Sequence, residues 1–182
     1  MAESNDRRVR RTRKLLQEGL LDLLGRKPLE DITVKELADA ADVARATVYV
    51  HYRDPADILA QIEQEVYSGA DAILRRHDPR ELAQSPDALL EDFFAYAQDK
   101  QAVFSVLLGE HGDREFIADL RALFAEQAAA ALRLQYPGAS ESALAYQAAF
   151  LVGGYETILR QWLAGGCQEA AEDLARIAGS IA

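Results

Sequence analysis

The stretch over residues 32–59, which reads ITVKELADAADVARATVYVHYRDPADIL, constrains the fold more than any other part of the chain. Thr33 stands where a helix N-cap is wanted, and Glu36, three residues later, completes the pattern of a capping box. The apolar residues that follow recur at the spacings of one helix face. They are Val34, Leu37, Ala38 and Ala41. This pattern predicts a short helix, and Asp42, which tolerates left-handed backbone, predicts a tight turn after it.

A second short helix is expected over residues 44–52. Val48 and Tyr52 lie one turn apart and should face inward, while the residues around them stay outside. Two short helices joined by a tight turn, the second with exposed donors, form the helix-turn-helix that enters the major groove of DNA. The candidates for DNA contact are Thr33, Arg45, Ala46, Thr47, Tyr49 and His51. An ordinary helix pair within a bundle is the alternative, but it has no need for this order of cap, turn and donors.

From about residue 8 to residue 59 the sequence resembles the TetR family of transcriptional regulators. The resemblance rests on TVKELADAADV, on the Tyr49 and Tyr52 pair and on the start of a long helix soon afterwards. It implies a three-helix DNA-binding domain followed by a helical domain that dimerises and holds a small-molecule effector. Three positions differ from the usual family pattern. Asp42 replaces the usual turn glycine. Ala44 replaces a serine or threonine cap, and Pro55 replaces a lysine that contacts phosphate.

The net charge of −10 at first argues against a nucleic-acid partner, but the charge is distributed unevenly. Residues 1–53 carry 11 basic and 9 acidic side chains, whereas residues 54–182 carry 9 basic and 21 acidic ones. Phosphate contacts depend on the local field within about a Debye length, so a basic segment can still bind DNA. That segment lies near the N-terminus and contains Arg7, Arg8, Arg10, Arg11, Arg13 and Lys14.

Nothing in the sequence predicts export or a membrane span. The N-terminal MAESNDRRVRR is charged and has no apolar segment after it, so no signal peptide is expected. The longest charge-free run in the apolar C-terminal part, residues 142–155, is too short to cross a bilayer. Cys167 is the only cysteine and permits no internal disulfide, which is typical of a reducing compartment. We therefore expect a cytoplasmic protein that has no membrane partner.

Helical periodicity continues through the rest of the chain, and strand-like alternation does not occur. Caps and apolar stripes predict helices over about 8–24, 54–76, 85–99, 103–108, 113–136 and 140–164, then a last one with Leu174, Ile177, Ala178 and Ile181. Residues 28–31 should form a loop. The predicted fold is all-α, with a helix-turn-helix DNA-binding domain over residues 1–53. A larger helical domain for effector binding and dimerisation is expected over residues 54–182.

The predicted helix over residues 140–164 is apolar on two faces. One face repeats every three or four residues like a coiled-coil seam and carries Leu144, Ala148, Leu151, Tyr155, Ile158 and Trp162. The second face has small or β-branched residues, which allow close approach. Because its own domain covers only one face, the other needs a partner, and a second copy of the chain is the simplest one. The residues expected in this dimer interface are Ala145, Ala149, Val152, Gly153, Ile177 and Ile181.

The sequence contains no recognisable catalytic or metal-binding pattern. The three histidines lie far apart and lack ligand spacing. The segment over residues 110–113, Glu-His-Gly-Asp, offers metal ligands, but a capped turn is the favoured interpretation. Cys167 has no basic neighbour in the sequence that would activate its thiol. We therefore expect no enzyme activity, no metal and no cofactor.

Most aromatic residues lie beyond the helix-turn-helix, and most of them, including Tyr146 and Phe150, are expected in the core. A helical bundle with several aromatics and a few polar groups can also enclose a small-molecule site. The residues proposed to line such a site are Phe93, Tyr96, Phe104, Phe124 and Gln127. The acidic excess beyond residue 53 favours a neutral apolar or cationic effector over an anionic one.

These observations favour a transcriptional regulator, most simply a repressor. A homodimer would place two recognition helices roughly 34 Å apart in successive major grooves of a near-palindromic operator. One alternative is a helical co-regulator that keeps the fold but binds a protein partner, which the replacements at Ala44 and Pro55 favour. A small all-α enzyme is a third alternative, and the absence of an acid–base or metal pattern argues against it.

Overall fold

A computed structural model describes residues 2–181, and side chains from residue 6 onward. Over this range the chain forms ten α-helices, one 3-10 helix and no strand, which confirms the all-α prediction. The helices are α1 (Ala2–Leu24), α2 (Val34–Ala40), α3 (Arg45–His51), α4 (Pro55–Leu74), α5 (Pro79–Leu82), α6 (Asp87–Asp99), α7 (Gln101–Leu107), α8 (Arg114–Gln135), α9 (Glu141–Ala164) and α10 (Ala171–Gly179). They form two compact units, which are described separately.

The first unit contains α1–α3, α4 up to residue 66, and residues 106–113. Its core consists of apolar side chains that share the inner faces of these helices. Among those that are at most 4% exposed are Leu16, Leu20, Leu24, Leu37, Val48, Tyr52, Ile58, Ile62 and Val66. Gly19 allows α1 to lie close to the end of α2, since a Cβ there would come within 3.1 Å of the Ala41 backbone nitrogen. These contacts hold α3 on the core of the first unit.

Element boundaries in the first unit differ from the sequence prediction at three places. Helix α1 begins at Ala2 rather than near residue 8, and α3 covers Arg45–His51 rather than residues 44–52. The expected loop over residues 28–31 is wrong in part, because Leu29–Asp31 forms a 3-10 helix. Its backbone closes the short i→i+3 bond from the Ile32 N–H to the Leu29 carbonyl, at 3.0 Å.

The second unit contains residues 67–105 and those from 114 onward. Within it α9 packs on α8, and a cluster of Leu132, Leu144 and Ala148 is buried between the two. The half-buried carboxylate of Glu156 on α9 accepts hydrogen bonds from Arg121 on α8 and from Arg160 one turn later. Burial raises the pKa of Glu156, but these ion pairs outweigh it and hold that pKa below its usual range.

Helix α10 lies on α6. Leu174, Ala175 and Ala178 are buried, and Gly179 lies so close to Asp87 that a Cβ there would collide with its carboxylate. The apolar residues of α10, which were predicted to form one stripe, therefore lie on two sides of the helix. Ile177 and Ile181, at 53% and 64% exposure, point away from this contact.

One helix of the second unit was not predicted, and one further expectation for this unit is wrong. Helix α5 has only four residues, too few for a periodic pattern to show. It is stabilised at its start by Pro79 in the first helical position and by the Asp78 carboxylate, which accepts from the Arg80 N–H. Tyr146 and Phe150 were expected in the core but are 78% and 73% exposed. Across residues 2–181, none of the helices combines the length and the apolar character needed to cross a bilayer.

Candidate nucleic-acid interface

The first helix of the helix-turn-helix, α2, begins with the predicted capping box. The Thr33 hydroxyl accepts from the Glu36 N–H at 3.2 Å, and the Glu36 carboxylate accepts from the Thr33 N–H at 3.0 Å. Lys27 donates to the same carboxylate at 2.7 Å. The hydrogen bond from Lys27, then those from Thr33, lower the pKa of Glu36 to about 2. The exposed Thr33 hydroxyl is thereby fixed at the surface where α2 starts.

The turn between α2 and α3 depends on Asp42, whose φ of 51° lies in the left-handed region, as predicted. The Val43 N–H then donates to the Ala38 carbonyl at 3.0 Å, which closes the end of α2. Ala44 precedes α3 in an extended conformation, and its side chain makes no cap hydrogen bond. The backbone alone therefore starts the recognition helix.

Helix α3 is anchored by Val48 and Tyr52, which are 0% and 3% exposed. Both were predicted to face inward, and the structure confirms it. The Tyr52 hydroxyl is buried without a hydrogen-bond partner among the described residues, and burial raises its pKa. The anchor is thus almost entirely apolar.

The opposite side of α3 is open to solvent. Arg45, Ala46 and Tyr49 are exposed, whereas Thr47 and His51 are half-buried. Val50, which was not among the predicted contact residues, is 76% exposed on the same side. The signal was present, because Val50 follows Ala46 by one helical turn and lies two residues from the buried Val48. Ala46 and Val50 give this surface an apolar part beside the donor of Arg45.

Helix α4 starts immediately after α3. The Asp54 carboxylate accepts from the Asp57 N–H at 2.8 Å, and the Asp57 carboxylate accepts from the Arg53 N–H at 3.0 Å. That backbone bond, and the Arg53 guanidinium, lower the pKa of Asp57. Pro55 takes the first helical position, where no N–H is needed. These two hydrogen bonds fix the direction of the chain immediately after α3.

Four of the five proposed effector residues form one aromatic cluster in the second unit. Phe93 lies 4.6 Å from Phe124 and 5.8 Å from Phe104 between ring centroids, and Tyr96 lies 5.7 Å from Phe104. Phe93 and Phe104 are buried, whereas Tyr96 and Phe124 are half-buried. Gln127 makes a separate contact, because its amide donates to the His77 carbonyl at 3.0 Å.

Tyr96 also contacts α4 within the second unit. A Cβ at Gly69 would collide with the Tyr96 hydroxyl, so the absence of a side chain at Gly69 makes room for this ring. Lys100 lies 5.8 Å from the centroid of the same ring. The half-buried edge of the aromatic cluster therefore combines a hydroxyl, an ammonium group and apolar rings.

The proposed dimer residues lie on the solvent side of α9 and α10. Ala145 and Ala149 are exposed, and Val152 and Gly153 are half-buried. Tyr146 and Phe150 share this side with Gly153 and Thr157, at spacings of four, three and four residues. The Thr157 hydroxyl donates to the Gly153 carbonyl at 2.8 Å, so its donor is used within α9. This side of α9 therefore carries two exposed aromatic rings in addition to the small residues that were predicted there.

In the described part of the chain, no group of three or more His, Cys, Asp or Glu side chains is placed to hold a metal ion. His77 Nε2 lies 2.9 Å from the Asp92 carboxylate, which Arg76 also contacts at 3.1 Å. This histidine is therefore part of a hydrogen-bonded group within the second unit.

Two family models match the chain. The model described as bacterial regulatory proteins of the tetR family matches residues 18–62, and that of a transcriptional regulator C-terminal region matches residues 84–182, more than half of the chain. Both describe transcriptional regulators, in agreement with the prediction that the chain is not an enzyme. No curated protein matches the chain significantly.

Solved structures with the same fold come from several bacteria. A TetR-like transcriptional regulator from Rhodococcus sp. RHA1 is 20% identical, with a TM-score of 0.67 and 93% of each chain covered. A TetR transcriptional regulator from Streptococcus agalactiae 2603V is 20% identical, with a TM-score of 0.64 over 100% of this chain and 98% of that one. FadR from Bacillus subtilis, solved in complex with stearoyl-CoA, is 13% identical, with a TM-score of 0.64 over 92% and 96%.

Proposed function

Because the chain belongs to the TetR family of transcriptional regulators, we propose that it is a repressor that binds a near-palindromic operator as a homodimer under the control of a small-molecule effector. Residues 1–53 form the DNA-binding domain in this proposal. Residues 54–182 form the domain for effector binding and dimerisation. The family itself accounts for DNA binding through the helix-turn-helix and for transcriptional regulation.

The observation that supports DNA reading best is the division of α3 into a buried and an open side. Val48 and Tyr52 hold the helix, while Arg45 offers the fork of donors that suits the O6 and N7 acceptors of guanine. The methyl groups of Ala46 and Val50 suit the methyl group of thymine. Thr33, Thr47, Tyr49 and His51 are proposed to contact the backbone and fix the register.

Homodimerisation is supported by the apolar solvent side of α9. Tyr146 and Phe150 protrude there, and Gly153 and Gly154 have open space where a Cβ would stand. Large rings beside two glycines make the face self-complementary, as a two-fold interface requires. Ala145, Ala149 and Val152, with Ile177 and Ile181 on α10, extend the same proposed interface, for which we expect roughly 2,000 Å² or more of buried area.

Effector control is supported by the aromatic cluster of Phe93, Tyr96, Phe104 and Phe124. Its half-buried members leave ring surface that a neutral apolar or cationic ligand can cover. Gln127 is the proposed polar partner, since its amide donates one hydrogen bond to the His77 carbonyl and keeps a second N–H and an acceptor oxygen. The ligand alters DNA affinity only through different affinities for the DNA-bound and free conformations.

Selection of duplexes from a random-sequence pool by the purified protein tests the proposal. The expected result is an inverted repeat whose half-sites lie about 10 base pairs apart, centre to centre. Enrichment of a single half-site would contradict the dimer. A failure to enrich any sequence would contradict operator binding and favour the co-regulator that binds a protein partner.

A further inference from the structure

Helix α1 extends beyond the core that it helps to form. Its first fully buried side chain is Leu16, and none of residues 6–15 is buried. Residues 6–14, which we call the basic overhang, therefore continue the helix for about 13 Å at 1.5 Å per residue. An element that packs on so little of its own domain is available for a partner.

The basic overhang carries six basic side chains and one acidic one, and all of them are exposed. Arg10 pairs with Asp6 at 2.6 Å, and Lys14 lies 3.7 Å from Glu18. Four of the six, Arg7, Arg8, Arg11 and Arg13, have no ion pair with any residue in the range 6–181. Most of the positive charge is therefore not neutralised within the described chain.

This arrangement is unfavourable for an isolated helix. Arg7 and Arg11 are four residues apart and Arg8 and Arg11 three, so their charges face one another and repel. Solvation alone explains why these arginines are exposed, but it does not explain why so many of them lie together at one end of a helix. A bound polyanion offsets the repulsion, and phosphate groups are the anions to which arginine forks fit.

Two contacts within the first unit hold α1 against α2, and so fix the helix that carries the basic overhang to the helix-turn-helix. Lys27, just after α1, bonds Glu36 at the start of α2, and Gly19 lies against Ala41 at its end. Further toward the N-terminus, the positive charge of Arg13 acts on Tyr52 at the end of α3. There burial raises the pKa of Tyr52, and the positive charge of Arg13 opposes that rise. The basic overhang therefore belongs to the same compact unit as α3.

From this placement we infer that the basic overhang binds phosphates of the operator DNA beside the major groove that α3 enters. The inference rests on the proposed function, because it needs α3 to be seated on DNA. Arginine contacts to phosphate add affinity that depends on salt but carry no sequence information. The basic overhang thus strengthens binding to every duplex, whereas α3 selects among them.

The test compares two variants, each with three fewer positive charges than the parent. The first replaces Arg7, Arg8 and Arg11 by Gln, which keeps the helix propensity. The second replaces Arg75, Arg133 and Arg176 by Gln; these are exposed arginines of the second unit, each paired with an acidic neighbour. Affinity is measured by fluorescence anisotropy for the selected operator and for a scrambled duplex, over a series of salt concentrations.

The first variant is expected to bind both duplexes roughly tenfold or more weakly at low salt, with an unchanged ratio between them. Its slope of log affinity against log salt should fall by about 0.9 for each phosphate that an arginine no longer neutralises, while the control keeps the parent slope. An unchanged slope, or an equal change in the control, overturns the inference while operator selection still stands. If the parent protein binds no duplex at all, the proposed function fails, and this inference fails with it.

Discussion

Arg45 and Tyr49 hold each other on the open side of α3. The Arg45 guanidinium donates to the Tyr49 hydroxyl at 3.2 Å and lies 5.8 Å from the centroid of its ring. The two residues are one helical turn apart, so the pair is a feature of the helix itself. It restricts the long arginine side chain before DNA binds, which reduces the entropy lost when the guanidinium reaches a base.

Two tyrosines three residues apart should respond differently to the same change. Tyr49→Phe removes the hydroxyl that holds Arg45 and is proposed to contact the DNA backbone, so we expect weaker binding to all sequences and unchanged stability. Tyr52→Phe removes a buried hydroxyl that has no partner among the described residues, so the free energy of unfolding should stay constant or rise by up to about 1 kcal/mol. DNA binding by anisotropy and urea unfolding measure both effects. Equal DNA affinity of the two variants would contradict the assignment.

Much of the helix-turn-helix could be predicted because its signals are local. The Thr33–Glu36 capping box and the left-handed Asp42 each follow from the chemistry of one or two side chains. The inner positions Val48 and Tyr52 follow from helical spacing. Val50 was missed because an apolar residue is expected inside by composition, whereas only its angle around α3 decides its exposure.

The capping box predicts a stability loss in acid. The pKa of Glu36 lies at about 2 in the folded protein, below its ordinary value of 4.5. A lowered pKa contributes stability that is fully present above about pH 4.5 and is lost as the pH falls toward 2. Glu36→Gln should therefore unfold at lower urea than the parent at pH 6, and the difference should shrink below pH 4. The exposed Glu18→Gln is the control; a gap that is constant with pH would contradict the prediction.

Glu63 on α4 predicts that stability falls, and does not rise, as the pH increases. One carboxylate oxygen is buried without a hydrogen-bond partner among the described residues. Burial, with a smaller effect from Asp113, raises the pKa of Glu63 to about 7. Between about pH 4.5 and 7 the folded state keeps a proton that the unfolded state has lost, so the free energy of unfolding falls as the pH rises.

Glu63→Gln should remove this loss. Relative to the parent, we expect a gain of about 1 kcal/mol at pH 8, after allowance for solvent screening of a half-buried group, and little change at pH 4.5. Urea unfolding at both pH values measures it, with the exposed neighbour Glu65→Gln as the control. The prediction fails if the gain is the same at both pH values.

The apolar face of α9 predicts a monomeric variant that still folds. Replacing Tyr146 and Phe150 by Ser should abolish the dimer without loss of helicity, because both rings are largely exposed within one chain. The control replaces Leu134 and Tyr136, also exposed but at the end of α8, by Ser. Light scattering at micromolar concentration measures the mass. A parent that is already monomeric, or a double variant that stays dimeric, would contradict the proposed interface.

The second unit was harder to predict because α9 is apolar on both sides. Periodicity assigned Leu144 and Ala148 correctly to the inside, but it could not tell that Tyr146 and Phe150 lie outside. That distinction depends on where α8 packs, which is a tertiary contact with no local signal. The division of α10, with Ala178 buried on α6 and Ile177 exposed, has the same cause.

The most direct test of sequence reading by α3 is the affinity of Arg45→Ala for the selected operator and for its single-base-pair variants. Arg26→Ala, which removes a surface arginine paired with Asp22 at the end of α1, is the control. The expected loss for Arg45→Ala is about 1–3 kcal/mol, together with loss of base preference at one position in each half-site. If Arg45→Ala and Arg26→Ala both bind the whole duplex series as the parent does, then α3 does not read the operator through Arg45, which contradicts the proposed recognition of DNA.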